Sequence, residues 1–162
     1  MKKLGVLLVV AVSVVMFSCN GSQVKFKSAK DYNDYIVQVV HEVDNSWSDV
    51  MHEKDLDKSL AKADILIKVS QDGLIKLKNL KTFKKDNLFK KSSIAYIEYI
   101  NKIAQKELKE FLHLIHDESP NDKRLDELIV ILDDEREAKF QVLTVCQQLF
   151  AATYHLNLAQ NS

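Results

Sequence analysis

Glycine and proline are nearly missing from this 162-residue chain, at three and one residues respectively. Sheet-rich folds need frequent tight turns, and tight turns lean on these two residues. Their scarcity excludes a sandwich or barrel and leaves long helices joined by few connections. Cysteine is also scarce, and two residues cannot staple a small disulfide scaffold. Neither sign of charge is in excess, since Lys plus Arg and Asp plus Glu both number 23. That balance excludes a nucleic-acid binder working through gross basicity, so no nucleic-acid partner is expected. There is no Gly-rich phosphate loop, no Cys-x-x-Cys-His haem attachment and no internal repeat. What the chain does have is apolar content, 46 %, more than a disordered polypeptide carries.

The N-terminus holds the longest apolar run. Lys2 and Lys3 precede an almost unbroken stretch from Leu4 to Phe17, which ends in Met16-Phe17-Ser18-Cys19. A bilayer span needs about 20 apolar residues. This run is shorter and has the proportions of a signal peptide. A small residue directly before a cysteine, just after the apolar region, resembles the bacterial lipoprotein signal. Met16 and Phe17 stand where that signal usually has Leu and a smaller residue. The resemblance implies a signal peptide over 1–18, cleavage before Cys19, and acyl chains (palmitate among them) on the Cys19 thiol. Several acyl chains on one residue give stable anchoring, at about 0.8 kcal/mol per buried CH₂. Residues 19–28 then read as lipidated cysteine and tether, and 29–162 as the folded domain. Loss of Lys2 and Lys3 leaves that remainder with two more acids than bases, a mild charge.

The domain reads as four helices. Ser28 is an N-cap with Asp31 three residues on, and Tyr32, Tyr35, Ile36, Val39, Val40, Val43, Trp47, Val50 and Met51 recur at helical steps to about His52. After the polar connection Glu53-Lys54-Asp55, a second helix places Leu56, Leu60, Ala63, Ile67, Leu74 and Leu77 on one face. Gly73 inside it costs about 1 kcal/mol against Ala and marks a bend, a close packing point or an early end. Leu80 and Phe83 are placed to cover the end of the fold. Residues 81–87 form a loop, with Asp86 or Asn87 capping a third helix that runs to about His116. Ser119-Pro120-Asn121-Asp122 is a start signal for a fourth, with Ser119 as N-cap. Its expected core positions are Leu125, Leu128, Ile129, Leu132, Phe140, Leu143, Cys146, Leu149, Phe150 and Tyr154. The spacing slips at Asp133–Lys139, which predicts a kink or a change of face. Four amphipathic helices with short connections predict an all-α, up-down-up-down four-helix bundle.

That topology puts the start of helix 1, the helix 2–3 loop and the end of helix 4 at one end, beside Cys19. Lys76, Lys78, Lys81, Lys84, Lys85, Lys90 and Lys91 cluster there against the single acid Asp86, while acids dominate 117–137 at the other end. A lysine near an anionic bilayer contributes about 1 kcal/mol, fading within a Debye length. Tyr32, Tyr35, Tyr96, Tyr99 and Tyr154 fall in the tether-side half, about 5–17 Å from that end at 1.5 Å per residue. Tyr35, Tyr96, Tyr99 and Tyr154 with Lys84 and Lys85 are therefore the candidate binding residues, for an anionic head group or a small amphiphile.

Catalytic patterns are thin, and neither enzymatic activity nor a cofactor is expected. Glu110 and His113 have the Glu-x-x-His spacing of di-iron bundles, and Asp49 with His52 is the nearest second half. A ferritin-like metal-binding bundle is therefore the alternative reading. Both pairs fall on polar helix faces, so no metal ligand is assigned. His113 and His116 form an i, i+3 pair, and Cys146 sits among apolar residues as a buried thiol.

The segment Phe83-Lys84-Lys85-Asp86-Asn87-Leu88-Phe89-Lys90-Lys91-Ser92-Ser93-Ile94-Ala95-Tyr96-Ile97, the later Glu107-Leu108-Lys109-Glu110-Phe111, and the opening Asp31-Tyr32-Asn33-Asp34-Tyr35-Ile36 add to the Cys19 signal. Together they resemble an uncharacterised leptospiral-type surface lipoprotein family. The resemblance implies an all-helical, extracytoplasmic protein of the bacterial cell envelope, and it transfers no catalytic residue. The expected function is a membrane-anchored binding or interaction module.

Overall fold

A computed structural model of the chain describes residues 24–86, 88–117 and 121–158. The expected signal peptide, Cys19, Asn87, Ser119 and Pro120 lie outside the described residues. The fold is all-helical: α1 (Ala29–Met51), α2 (Leu56–Lys78), α3 (Leu88–Gln105), α4 (Glu107–Leu114), α5 (Asp122–Ile129), a π-helical segment (Val130–Glu135) and α6 (Arg136–Thr153). No helix among the described residues is long and apolar enough to cross a membrane.

The ends of α1 and α2 follow their local chemistry. The Ser28 hydroxyl accepts the Asp31 amide at 3.0 Å and so satisfies one of the free N–H groups of the first turn. Asp55 does the same for Lys58 at 2.9 Å. The Glu53 carboxylate braces the connection by accepting the amides of Lys54 and Asp55. α2 ends on Lys76 and Lys78, which suit the negative end of its dipole.

The buried seam of α2 differs from the expected one. It consists of Ser59, Ala63, Leu66, Ser70, Gly73 and Leu77, at alternating steps of four and three, while Leu56, Leu60, Ile67 and Leu74 are only partly buried beside it. Small side chains let helix backbones approach closely. A Cβ on Gly73 would lie 3.3 Å from Val39 Cγ1, 3.5 Å from Val43 Cγ2 and 3.6 Å from Ile97 Cδ1. Gly73 is thus a packing point between α1 and α3, and α2 continues through it to Lys78. The buried hydroxyls are bonded: Ser70 donates to the Ile67 carbonyl and accepts from Asn101 Nδ2, and Ser93 donates to the Phe89 carbonyl.

Two expected helices are interrupted. The third breaks at Lys106 (φ −136°, ψ −66°), where the Gln105 side chain folds back onto the Asn101 carbonyl and amide oxygen. Burial carries on across the break through Leu108 and Leu112. The fourth begins at Asp122, with the Asn121 side chain accepting the Arg124 amide at 3.1 Å. Asn caps as well as Ser, so the N-cap is Asn121 and not Ser119. The slip in apolar spacing falls at the π segment. Ile129 and Leu149, expected in the core, are 44 % and 54 % exposed. α6 ends as a Schellman motif, with His155 in the left-handed region (φ 53°) and the Leu156 amide returning to the Ala151 carbonyl at 2.9 Å.

α1 packs on α2, α2 on α3, and α3 on α6, while α4 covers the far ends of α2 and α3 and is itself met by α5. At one end Val24 bridges to Leu80: its amide donates to the Asn79 carbonyl at 3.2 Å and its carbonyl accepts from Lys81 at 2.8 Å. Leu80 and Phe83 are buried there as end covers. Phe83 joins Tyr32, Phe89, Phe150 and Tyr154 in an aromatic cluster with ring centroids 4.7–6.3 Å apart.

The tight contact at Gly73 yields a stability prediction. Gly73→Val gains helix propensity but forces two methyl groups against Val39 and Val43, so it lowers unfolding free energy by about 1–3 kcal/mol in urea titrations. An unchanged midpoint would mean that α1 and α3 yield at this contact.

Candidate functional site

The most charged part of the end where Val24 joins the fold is built on one carboxylate. Asp86 accepts the amides of Leu88 and Phe89 through Oδ1, at 3.2 and 3.1 Å, and so caps α3. Its Oδ2 accepts the hydroxyl of fully buried Tyr32 at 3.0 Å, which ties α1 to the start of α3. The loop between α2 and α3 turns at Lys84, whose backbone is left-handed (φ 50°). That turn holds the Lys84 ammonium 5.2 Å from the Tyr154 ring and 5.3 Å from the Phe83 ring. Lys85 is exposed and lines a shallow groove of about 180 Å³ with Leu88, Cys146, Leu149 and Tyr154. Lys78, Lys90 and Lys91 line a second hollow of about 300 Å³ with Thr82 and Asp86. Within it the Lys90 ammonium donates to the Leu80 carbonyl, and burial pushes its pKa down.

Of the six candidate binding residues, the structure gathers Lys84, Lys85 and Tyr154. Tyr35 packs against Phe26 at 5.2 Å on the outer side of α1. Tyr96 and Tyr99 lie elsewhere, and the tyrosine hydroxyls do not converge on one cleft. Buried Tyr32 and Tyr96 and half-buried Tyr99 each find an acceptor on a neighbouring element: Tyr32 on Asp86, Tyr96 on Asp44, and Tyr99 on the Ile131 carbonyl (2.6 Å) and Glu135 (3.0 Å). Burial, with these anionic neighbours, raises all three phenols well above their usual range. They are ties between helices and hold their protons.

The residues with metal-ligand spacing stand apart. Glu110 is clasped by the Arg124 fork at 2.7 and 2.8 Å, which lowers its pKa, while His113, Asp49 and His52 are exposed. His116 turns from His113, and its ring nitrogens face the carbonyls of Leu112 (2.8 Å) and Lys54 (3.1 Å). Those two acceptors raise its pKa, because only the imidazolium donates to both. Among the described residues, no group of three or more His, Cys, Asp or Glu is placed to hold a metal ion. Cys146 is half-buried.

A second polar arrangement escaped the sequence. Arg136 Nη1 donates to the Tyr96 hydroxyl oxygen at 3.2 Å, and that hydroxyl donates to Asp44 Oδ1, so a chain of hydrogen bonds crosses α6, α3 and α1. The Arg136 guanidinium also lies 5.5 Å over the Trp47 ring, and its buried Nε has no hydrogen-bond partner among the described residues. Burial raises the Asp44 pKa against the opposing pull of Tyr96, Arg136 and His41. Beside it a groove of about 220 Å³ separates α1 from α6, lined by Val37, Val40, His41, Asp44, Phe140, Leu143 and Gln147, among others. The visible signal was a base set among acids within the spacing slip. Its partners lie far away in the chain, and no periodicity pairs them.

No family model, curated protein or solved structure matches this chain.

Two measurements probe this chemistry. Asp86→Ala removes a helix cap, worth about 0.5–2 kcal/mol, and leaves the Tyr32 hydroxyl unpaired, about 1–3 kcal/mol more. Combined with Tyr32→Phe it should cost less than the sum of the two single changes, and strict additivity would mean that the two groups do not interact. Burial makes protonation of Asp44 easier in the fold than in the unfolded chain. Its contribution is therefore full below the ordinary aspartate value of 3.8 and fades as pH rises through the higher folded value. Asp44→Asn should flatten the fall in urea midpoint with rising pH over that window, and an identical slope in both proteins would contradict the shift.

Proposed function

We propose that this chain is a lipid-anchored, extracytoplasmic protein of the bacterial cell envelope that acts as a binding or interaction module. Its four rods (α1, α2, α3 with α4, and α5 through α6) then form an up-down-up-down bundle held at one end by acyl chains on Cys19. One observation carries this reading: Val24, five positions after Cys19, is hydrogen-bonded into the loop that bears Lys81, Lys84 and Lys85. Five residues reach at most about 17 Å. The lysines of that loop therefore lie within reach of the head groups in which the anchor is set. Lys84 and Lys85 are exposed, and ammonium groups at an anionic surface add about 1 kcal/mol each. The helix connection, the aromatic cluster and the Asp86 cap hold these charges on a fixed frame, which favours a defined tilt over free rotation on the tether.

The proposal makes two expectations. Protein released from native envelopes has the mass of residues 19–162 plus acyl chains. A non-acylated chain of those residues with Cys19→Ala binds anionic vesicles, and adding Lys84→Glu and Lys85→Glu weakens that binding about tenfold or more. An intact N-terminus refutes the anchor. Binding indifferent to the two lysines refutes the head-group contact.

A further inference from the structure

After Lys139 the described chain carries no Asp, Glu, Lys or Arg, although such residues make up 28 % of the whole. α6 is nevertheless a surface helix. Ala138, Val142, Val145, Leu149 and Ala152 recur at steps of four and three and are all exposed, the three large ones by 57 %, 53 % and 54 %. They form one apolar stripe about 21 Å long at 1.5 Å per residue. The neighbouring edge of α3 extends it with Leu88, 60 % exposed, and with Ser92 and Ala95. Two shallow grooves between the helices, of about 180 and 410 Å³, make the face continuous.

The border of this face is basic. Lys85 lines the groove nearer the tether, Lys139 lines the other, and Lys84 stands over Tyr154 at the same end. Glu135 is the acid at the far end, and Asp86 is turned inward to cap α3 and hold Tyr32. A second copy packed antiparallel on this stripe would oppose Lys85 of one chain to both Lys139 and Glu135 of the other, so repulsion and attraction would offset and the rim would gain no charge complementarity. An anionic lipid surface instead neutralises every lysine on the rim while accepting the apolar stripe.

We propose that the α3–α6 face lies on the anionic leaflet in which the chain is anchored. Val142, Val145, Leu149 and Leu88 enter the boundary between head groups and acyl chains, and Lys84, Lys85 and Lys139 meet lipid phosphate. The inference rests on the anchored reading above. The tether keeps the local lipid concentration high, so a contact too weak to hold a free protein suffices.

The test uses the full chain, purified from membranes and reconstituted into phosphatidylcholine–phosphatidylglycerol vesicles that carry a nitroxide lipid quencher. With Cys146→Ser as background, an environment-sensitive dye is placed at Val145→Cys, one turn on at Leu149→Cys, and, as control, at Ile65→Cys on the exposed side of α2. The expected result is several-fold stronger quenching at 145 and 149 than at 65. Adding Lys84→Glu, Lys85→Glu and Lys139→Glu should remove that difference while the protein stays on the vesicles. Equal quenching at all three positions overturns the proposal. So does dye self-quenching at 145 that grows with protein density, which would assign the face to a second copy. Dye uptake at Cys19 in the parent refutes the anchor separately, and position-dependent quenching in that same protein would leave the face assignment standing.

Discussion

The closeness with which α1 and α3 approach α2 sets the shape of everything else. It depends on four small residues, Ser59, Ala63, Ser70 and Gly73, along the α2 seam. Where Val39, Val43 and Ile97 converge on Gly73, a single methyl group would already stand at 3.3 Å. Three rods drawn together in this way leave α6 to pack mainly on α3. It reaches α1 through side-chain tips, such as Tyr32 on Phe150 and Gln147 on Asn33. The groove between α1 and α6 and the uncovered outer side of α6 are both consequences of this unequal packing.

The loop between α2 and α3 shows how a segment without glycine holds a sharp turn. A left-handed conformation costs a residue other than glycine about 1–2 kcal/mol. At Lys84 that cost is offset by two ring contacts, each worth about 0.5–1 kcal/mol at an exposed site. Asp86 then fixes the next turn by capping α3 and holding Tyr32. The charge cluster is therefore not a floppy surface loop. Its position relative to Val24 is set by backbone hydrogen bonds on one side and by buried aromatic rings on the other.

Much of this was legible in the residues, and the failures have physical causes. Ser28, the connection 53–55, a cap at Asp86 or Asn87 and the end covers Leu80 and Phe83 could be read because capping and turn chemistry are local. The α2 seam was misread because hydropathy marks large side chains, whereas the contact there is made by small ones. The break at Lys106 has no proline or glycine to announce it. Ser119 and Asn121 are equally good caps, and composition does not choose between them. The tyrosines were expected to converge because they share one half of the molecule. Their hydroxyls instead go to acceptors on adjacent elements, since a buried hydroxyl left unpaired costs about 1–3 kcal/mol. The Arg136–Tyr96–Asp44 chain joins residues on three separate helices, and only the assembled fold brings them together.

The π segment links two features that otherwise look unrelated. A π turn holds one residue more than an α turn, so each residue beyond it takes the angular place its predecessor would have had, a rotation of about 100° in an α-helix of 3.6 residues per turn. Leu128, before the segment, and Leu132, inside its first turn, are buried and anchor this stretch. With that anchor held and the turn regular, Val142, Val145 and Leu149 would occupy the places now filled by Leu143, Cys146 and Phe150. Phe150 would then leave the aromatic cluster that it shares with Tyr32 and Phe89. The extra residue keeps the aromatic ring in the core and brings Arg136, at the segment's end, over Trp47 and against Tyr96. It also leaves three branched apolar side chains facing outward on a helix that carries no charge after Lys139. One local departure from regular helix thus sets both the buried polar chain across α1, α3 and α6 and the bare apolar face along α6.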